Sequence, residues 1–153
     1  MDKVRWREGT RRKLKAGKVL DEIQRIEAEH GVASPDAIVE EAAPKGAVLH
    51  PEFEWADGAA AHSWRKQQAR RLVTDLVIVD VDSGKEHGPA FVSVQISEDN
   101  RGYASTLTVL SSEELRTNLL REARTALAGW RARYRQLREL AKVVDVIDST
   151  LDE

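Results

Sequence analysis

The sequence contains no cysteine in 153 residues, and it has no long apolar run. The first absence excludes disulfides, cysteine-based zinc sites and thiol catalysis, and it leaves the cytoplasm as the default compartment. No stretch approaches the ~20 apolar residues of a membrane span, and no apolar run follows the N-terminal charges as in a signal peptide. We therefore expect a soluble protein without a membrane partner.

Catalytic signatures are also missing. There is no HExxH pair of histidines, no nucleophile elbow around a serine and no glycine-rich loop for phosphates. The sequence therefore predicts no catalytic residue, no metal ligand and no cofactor, and it favours a protein that is not an enzyme.

What the chain has in quantity is charge. Charged residues make up 33% of the sequence and hydrophobic ones 41%, a balance that still permits one folded core. The net charge of -2 hides an asymmetry, because residues 1–18 carry eight basic and two acidic side chains. We interpret residues 1–18 as a basic N-terminal arm, suited to phosphate contact and, through its tryptophan, to base stacking. The nucleic-acid-binding residues predicted here are Arg5, Trp6, Arg7, Arg11, Arg12 and Lys13. An acidic protein surface or a merely solvated leader are the alternatives.

Helical periodicity and capping residues predict three helices after this arm. The first runs from about Lys15 to His30 and ends at Gly31. The second is capped by Ser34, with proline at its first position, and ends near Ala43. Asp57 can cap the third, which extends to about Val73.

Three β-rich runs follow, and short turn-rich loops separate them. The runs are Leu76 to Val81, Ala90 to Ile96 and Tyr103 to Leu110. Such spacing predicts a three-stranded antiparallel β meander. The fold class expected is therefore α+β, with N-terminal helices, this meander and a long C-terminal helix, and residues 19–110 form the α+β domain.

Residues 111–153 are predicted to form that C-terminal helix. Ser111 and Glu114 make a capping box, and the helix reaches ~60 Å if it continues for ~40 residues. Its apolar positions step by three and four like a coiled-coil seam, which predicts a homodimer. Beside the seam lies a basic stripe ~27 Å long that a duplex backbone can contact: Arg124, Arg131, Arg135, Arg138 and Lys142. Alternatively, these arginines flank a coiled coil and pair with glutamates of a neighbouring helix.

The order of three helices before a hairpin also raises a winged helix-turn-helix. In that arrangement Arg65, Lys66, Arg70 and Arg71 on the third helix contact DNA. The thirteen residues from Pro44 to Ala56 are too many for the turn, and they are acidic. A non-standard α+β domain is the preferred interpretation.

The segment Leu49 to Val73, LHPEFEWADGAAAHSWRKQQARRLV, is crowded with reactive side chains. If it is extended, Glu52 and Glu54 share one face, and Arg65 lies in an otherwise apolar stripe of the third helix. An arginine in that position needs an acid, so we predict a structural clasp in which Arg65 binds Glu52 or Glu54. The alternative is a metal or acid/base site, which fits no known ligand spacing. Its residues would be His50, Glu52, Glu54, Asp57 and His62.

The pattern H-P-x-F-x-W, then A-A, then R-x-x-Q-A-R in this segment resembles small uncharacterised proteins encoded by bacteriophages and prophages. The resemblance covers most of the chain from about Lys18 and departs at Ala56 and Trp64. It implies a viral or prophage origin, and hence the cytoplasm of a bacterial host cell, but no mechanism. We expect a non-enzymatic interaction protein that binds nucleic acid or a nucleoprotein assembly as a dimer. A protein-only assembly or host-interference factor that binds an acidic partner surface is the alternative, and a small metal-dependent enzyme is a second one.

Overall fold

The computed structural model describes residues 2–56, 58 and 60–153, with the side chain of Asp2 excepted. The chain divides into two compact units, and the first ends at Ser111. Unit 1 contains β1 (Asp2–Trp6), α1 (Ala16–His30), α2 (Pro35–Ala42), a 3-10 turn (His50–Glu52), α3 (Ala61–Thr74), β2 (Leu76–Asp80), β3 (Glu86–Pro89), β4 (Phe91–Ser97), β5 (Asn100–Ser105) and α4 (Thr106–Ser111). Unit 2 contains α5 (Glu113–Tyr134), a 3-10 turn (Arg138–Leu140) and α6 (Ala141–Asp152). The α+β fold class is confirmed.

The first two predicted helices match α1 and α2 closely, because their end signals are local. Gly31 follows α1 with φ 82°, and Ser34 caps α2 by accepting a hydrogen bond from the Ala37 N–H at 3.1 Å. The third, α3, begins at Ala61, and Ala60 at its N-cap position makes no side-chain capping bond. The predicted cap, Asp57, lies outside the described residues.

The three-stranded antiparallel sheet is also confirmed, but its strands differ from the predicted ones. Its order is β1-β2-β3, while β4 and β5 pair separately. The unexpected strand β1 lies inside the basic arm, where charged and apolar residues alternate with the period of a strand. Val4 and Trp6 pack against the core, and in the pairing register they lie opposite Ile78 and Leu76.

The end of the third predicted strand is helical instead. Residues 106–110 are rich in β-branched and apolar side chains, which predicted a strand, yet they form α4. The Ser105 hydroxyl accepts a hydrogen bond from the Thr108 N–H at 3.3 Å, in the manner of a helix cap. Only Val109 of α4 is buried. Local capping here outweighs strand propensity.

A long C-terminal helix is confirmed, but the prediction that it continues for ~40 residues is wrong. The long helix α5 spans 22 residues and ends at Tyr134, and Leu137 has an extended backbone with ψ 105°. No glycine or proline marks this break, so nothing local in the sequence announces it. The α6 helix then folds back along α5 and buries Val144 and Ile147. The helix that packs on α5 therefore belongs to the same chain.

The core of unit 1 lies where α1, α2 and α3 pack against the strands. Its largest fully buried side chains include Ile23, Ile26, Ile38, Leu49, Leu72 and Leu76. The β5 strand approaches the segment before α2 so closely that a Cβ at Gly102 would lie 2.8 Å from Val32 Cγ2 and 2.9 Å from Ser34 N. Paired main-chain bonds of 2.8 Å join Ala33 and Tyr103 at the same place. None of the helices in the described part of the chain has the length and apolar character to cross a membrane.

Candidate nucleic-acid interface

The basic arm is held against unit 1 rather than hanging free. Trp6 is half-buried, and its indole N–H donates to the main-chain oxygen of Leu14 at 2.9 Å. Between these two residues a turn closes by a bond from Thr10 N to Arg7 O at 3.0 Å, with Gly9 at φ 82°. The predicted stacking role of Trp6 conflicts with this placement, because its ring packs against the core.

Glu52 holds the inner side of the same loop. Its Oε1 accepts from the main-chain N–H groups of Lys13 at 2.8 Å and Leu14 at 2.7 Å, and its side chain is 4% exposed. Its Oε2 lies 3.9 Å from Arg12 Nη1. These hydrogen bonds join residues about 40 positions apart, so no local sequence pattern predicts them.

Arg12 faces inward as well. Its guanidinium forms an ion pair with Asp75 and lies 5.6 Å from the centre of the Trp6 ring. The Arg12 Nε is buried and has no acceptor among the described residues. Arg12 is therefore committed to the fold and is a poor phosphate ligand.

The other predicted cations of the arm divide into two groups. Arg5 donates to the main-chain oxygen of Trp6 at 3.1 Å, and Arg7 donates to that of Thr74 at 3.4 Å. Arg11 and Lys13 have exposed side chains, and neither has an acidic partner among the described residues. The same holds for the following basic positions, Lys15 and Lys18. We call the exposed side chains of Arg11, Lys13, Lys15 and Lys18 the basic patch.

Most of the predicted arginine stripe lies within the helical pair of unit 2. Arg124 donates to the main-chain oxygens of Thr150 at 3.2 Å and Leu151 at 2.7 Å, near the end of α6. Asp148 Oδ1 accepts from Arg131 at 2.8 Å and from Arg135 at 3.1 Å. These three arginines join α5 to α6.

The last two predicted stripe residues lie beyond the break in the helix. Arg138 is in the 3-10 turn, and Lys142 is on α6. Both side chains are exposed, without an ion pair in the described structure. Because the helix is interrupted, the straight stripe expected along one helix face does not form.

Arg65 binds the predicted segment, but through main-chain oxygens and not through the predicted carboxylate of Glu52 or Glu54. Arg65 Nε donates to the backbone oxygen of Glu54, and Arg65 Nη2 donates to that of Ala56, both at 3.0 Å. The guanidinium also lies 5.1 Å from the centre of the Trp55 ring. The Glu54 carboxylate instead accepts from the Trp64 indole N–H at 2.8 Å. The predicted crossing of the two segments is present, with a different acceptor.

The two histidines of the alternative metal site, His50 and His62, have different partners. His50 Nδ1 donates to the Ala42 carbonyl at 2.9 Å, and its ring stacks on Trp55 at 4.8 Å. His62 Nε2 lies 3.4 Å from Asp36 Oδ1. Asp57 is outside the described residues. His50 is thus held by a hydrogen bond and a ring contact, and His62 lies beside an exposed carboxylate. Among the described residues, neither belongs to a cluster of metal-type ligands.

Within the described residues, the group with metal-type ligands closest together is Glu29, His30 and Glu41. Arg25 already binds this group, at 2.6 Å from Glu29 and 2.7 Å from Glu41. Hydrogen bonds with Glu22 and Glu41 raise the pKa of Arg25, and the hydrogen bond from Arg25 lowers the pKa of Glu41. A cation that competes for these oxygens has to displace the guanidinium.

A second cluster of cations was predicted only in part from the sequence. Lys66 and Arg70 lie on the same side of α3, four residues apart. They line a cleft together with Arg101 of β5. The two α3 residues are among those named for the winged helix, but Arg101 and Ser93 carried no signal. Their position depends on how the β4–β5 hairpin packs, which the sequence does not specify.

No family model, no curated protein and no solved structure matches this chain.

Proposed function

We propose that this chain is a non-enzymatic interaction protein of a bacteriophage or prophage that binds nucleic acid, alone or within a nucleoprotein assembly. The observation that carries the proposal is the basic patch. Its four side chains are exposed and lack acidic partners among the described residues, although the chain as a whole has a net charge of -2. Locally unneutralised cations of this density favour phosphate.

The main chain around the basic patch supports this proposal because it is already ordered. Trp6 and Glu52 fix the loop that carries Arg11 and Lys13, so binding orders only the side chains. Lys15 and Lys18 flank the start of α1, a helix with no side-chain cap and no acid in its first turn. The free N–H groups at such an end favour a phosphate beside the cations.

The proposed contacts are to phosphates and not to bases. Arg11, Lys13, Lys15 and Lys18 are point charges or guanidinium groups on a loop and a helix end, and Trp6 is turned into the core. Such contacts position a backbone without reading its sequence. Binding is therefore expected to be weakly sequence-dependent and steeply salt-dependent.

A mobility-shift titration of duplex and single-stranded DNA at ~50 and ~200 mM salt tests the proposal. The double variant Arg11→Glu/Lys13→Glu should weaken binding by at least ~10-fold and reduce the salt slope by about 0.9 for each duplex phosphate that the variant no longer neutralises. The matched control is Lys45→Glu/Lys85→Glu, which makes the same charge change at exposed positions outside the patch. Absence of a shift at ~50 mM salt, or equal losses in both variants, would contradict the proposal.

We propose further that unit 2 mediates self-association. The α5 helix has no buried residue, and large aliphatic side chains remain exposed on both helices: Leu120, Leu127, Val143 and Val146. Leu120 and Leu127 are one heptad apart and so lie on one helix face. This surface also favours the second candidate function, a protein-only assembly factor.

Light scattering separates these possibilities from a monomer. A homodimer should give twice the mass of 17.2 kDa at micromolar concentration, and Leu120→Ser/Leu127→Ser should shift it to the monomer. A wild-type chain that scatters as a monomer would remove the dimer. An intact dimer that binds no DNA would leave the protein-only function as the better candidate.

A further inference from the structure

The cleft on the α3 side of unit 1 is defined by three elements. It opens between the start of α2, α3 and the β4–β5 hairpin, with a volume of about 230 Å³. At one edge β5 packs closely against the segment before α2, where Gly102 leaves no room for a side chain. The main-chain bonds between Ala33 and Tyr103 hold the same edge. We call this cavity the α3 cleft.

Basic side chains of α3 line the α3 cleft. They are Lys66 and Arg70, and Asp36 and Arg101 line the cleft with them. Asp36 Oδ2 lies 3.2 Å from Lys66 Nζ and forms an ion pair with it. The Arg70 guanidinium has no hydrogen-bond acceptor among the described residues, although it lies near enough to Tyr103 to interact electrostatically.

Hydroxyl groups add neutral donors around these cations. Ser34 Oγ accepts from the Ala37 N–H, and Ser93 Oγ accepts from Arg101 Nε at 3.0 Å, which leaves both hydroxyl hydrogens able to donate to a ligand. Tyr103 also lines the cleft. The Tyr103 hydroxyl keeps its proton at neutral pH because the ordinary pKa of a tyrosine is 10.0, and burial raises this pKa further.

We propose that the α3 cleft binds a phosphate group, held by Lys66 and Arg70 and by the hydroxyls of Ser34, Ser93 and Tyr103. A phosphate presents oxygens in several directions, which suits donors that converge from three elements, whereas a carboxylate is planar. A guanidinium at the rim can bind two phosphate oxygens at once. The inference rests on the proposed function in one respect: the phosphate is expected to belong to a nucleic-acid strand, while a free mononucleotide offers the same chemistry.

Titration of the 15N-labelled full chain with inorganic phosphate, with adenosine monophosphate and with a short single-stranded oligonucleotide tests this site. Each ligand should shift the amide signals of Ser34, Arg70 and Tyr103. Arg70→Ala should weaken adenosine monophosphate binding by ~10-fold or more, the loss of about one charge-assisted hydrogen bond. The matched control is Arg71→Ala, which removes the neighbouring cation of α3 that does not line the cleft.

A second variant, Tyr103→Phe, removes only the hydroxyl and should also weaken adenosine monophosphate binding while the melting temperature stays unchanged. Equal affinities for Arg70→Ala and Arg71→Ala, or no shifts at the three amides, would overturn the site. Two further results separate the cleft from the basic patch. Oligonucleotide binding that depends on Arg11 and Lys13 but not on Arg70 would overturn the cleft alone. Binding of the mononucleotide in the cleft without any oligonucleotide binding would support the cleft and contradict the proposed function.

Discussion

The indole N–H of Trp6 donates to the main-chain oxygen of Leu14 at 2.9 Å, and this bond ties together the two ends of the loop of residues 7–13, here called the basic loop. The tryptophan of a basic arm would, on sequence grounds, serve as a stacking surface for bases. In the fold it is an anchor, and the Glu52 carboxylate completes the anchorage from the other side by accepting two main-chain N–H groups. The loop is thus a structural part of unit 1 that displays cations outward.

Glu52 should be the most sensitive residue of this anchorage. Glu52→Ala removes two hydrogen bonds to a carboxylate and leaves Arg12 with one fewer acid, so we expect a loss of about 3 kcal/mol in the free energy of unfolding. The matched control is Glu54→Ala, two residues away, whose carboxylate is exposed and, within the described residues, accepts a hydrogen bond from Trp64 alone. It should cost no more than about 1 kcal/mol. Urea denaturation measures both, and equal losses would contradict the assignment of Glu52 as the buried cap.

A double-mutant cycle distinguishes the observed clasp from the expected one. Arg65 binds the main-chain oxygens of Glu54 and Ala56. Arg65→Ala should therefore lower the free energy of unfolding by about 1–2 kcal/mol, whether or not Glu54 keeps its carboxylate. The coupling energy between Arg65→Ala and Glu54→Ala should therefore fall below ~0.5 kcal/mol. A coupling above ~1.5 kcal/mol would instead indicate a direct ion pair between the two side chains.

These two glutamates show what the sequence can and cannot specify. The place of Arg65 in an apolar stripe predicted an acid from the preceding segment; Arg65 does bind that segment, but its acceptors are two main-chain oxygens. Which atom accepts depends on the 3-10 turn at His50–Glu52, which rotates the segment out of a regular extended form. The alternation of faces assumed for a strand then fails, so Glu52 turns to the basic loop and Glu54 to Trp64.

The same limit applies to elements defined by distant contacts. Ser34 and Gly31 fix the ends of α2 and α1 locally, and those predictions match the structure. The strand β1 forms because residues seventy or more positions away pair with it, although the alternation from Lys3 to Trp6 already indicates a strand. The break near Leu137 has no local signal, since it depends on α6 packing back on α5. The α3 cleft likewise requires β5 to reach the start of α2.

In unit 2, Asp148 should stabilise the pairing of α5 with α6. Asp148 accepts hydrogen bonds from Arg131 and Arg135. Because the side chains are partly exposed, each ion pair contributes only about 0.5 kcal/mol to the free energy of unfolding. A cycle of Arg131→Ala with Asp148→Ala should give a coupling of about 0.5–1 kcal/mol that shrinks in ~1 M salt. Arg138→Ala is the control, because Arg138 has no ion pair in the described structure, and its coupling with Asp148→Ala should be near zero. Coupling of Arg138 as large as that of Arg131 would show that the effect is only general electrostatics.

The buried carboxyl of Glu27 should make the stability of the protein depend on pH. Burial raises the pKa of Glu27 above its ordinary value of 4.5, and the hydrogen bonds from Ser105 and Thr108 lower it by less. The folded state therefore holds the proton more tightly than the unfolded state, and this contribution to stability is fully present below the unfolded pKa and is lost as pH rises through the folded pKa.

Glu27→Gln keeps the shape and an acceptor for the Ser105 N–H, which donates to Glu27 Oε2 at 3.0 Å, but it removes the ionisation. We expect the variant to be more stable than the wild type at pH 7 to 8 by on the order of 1 kcal/mol, and the difference to disappear as the pH falls to about 4. Asp21→Asn on the exposed side of α1 is the matched control and should leave the pH dependence unchanged. Thermal melts between pH 4 and 8 measure the effect. A Glu27→Gln variant that loses stability at pH 7 would show that the ionised carboxylate, rather than the neutral acid, is the form that the fold prefers.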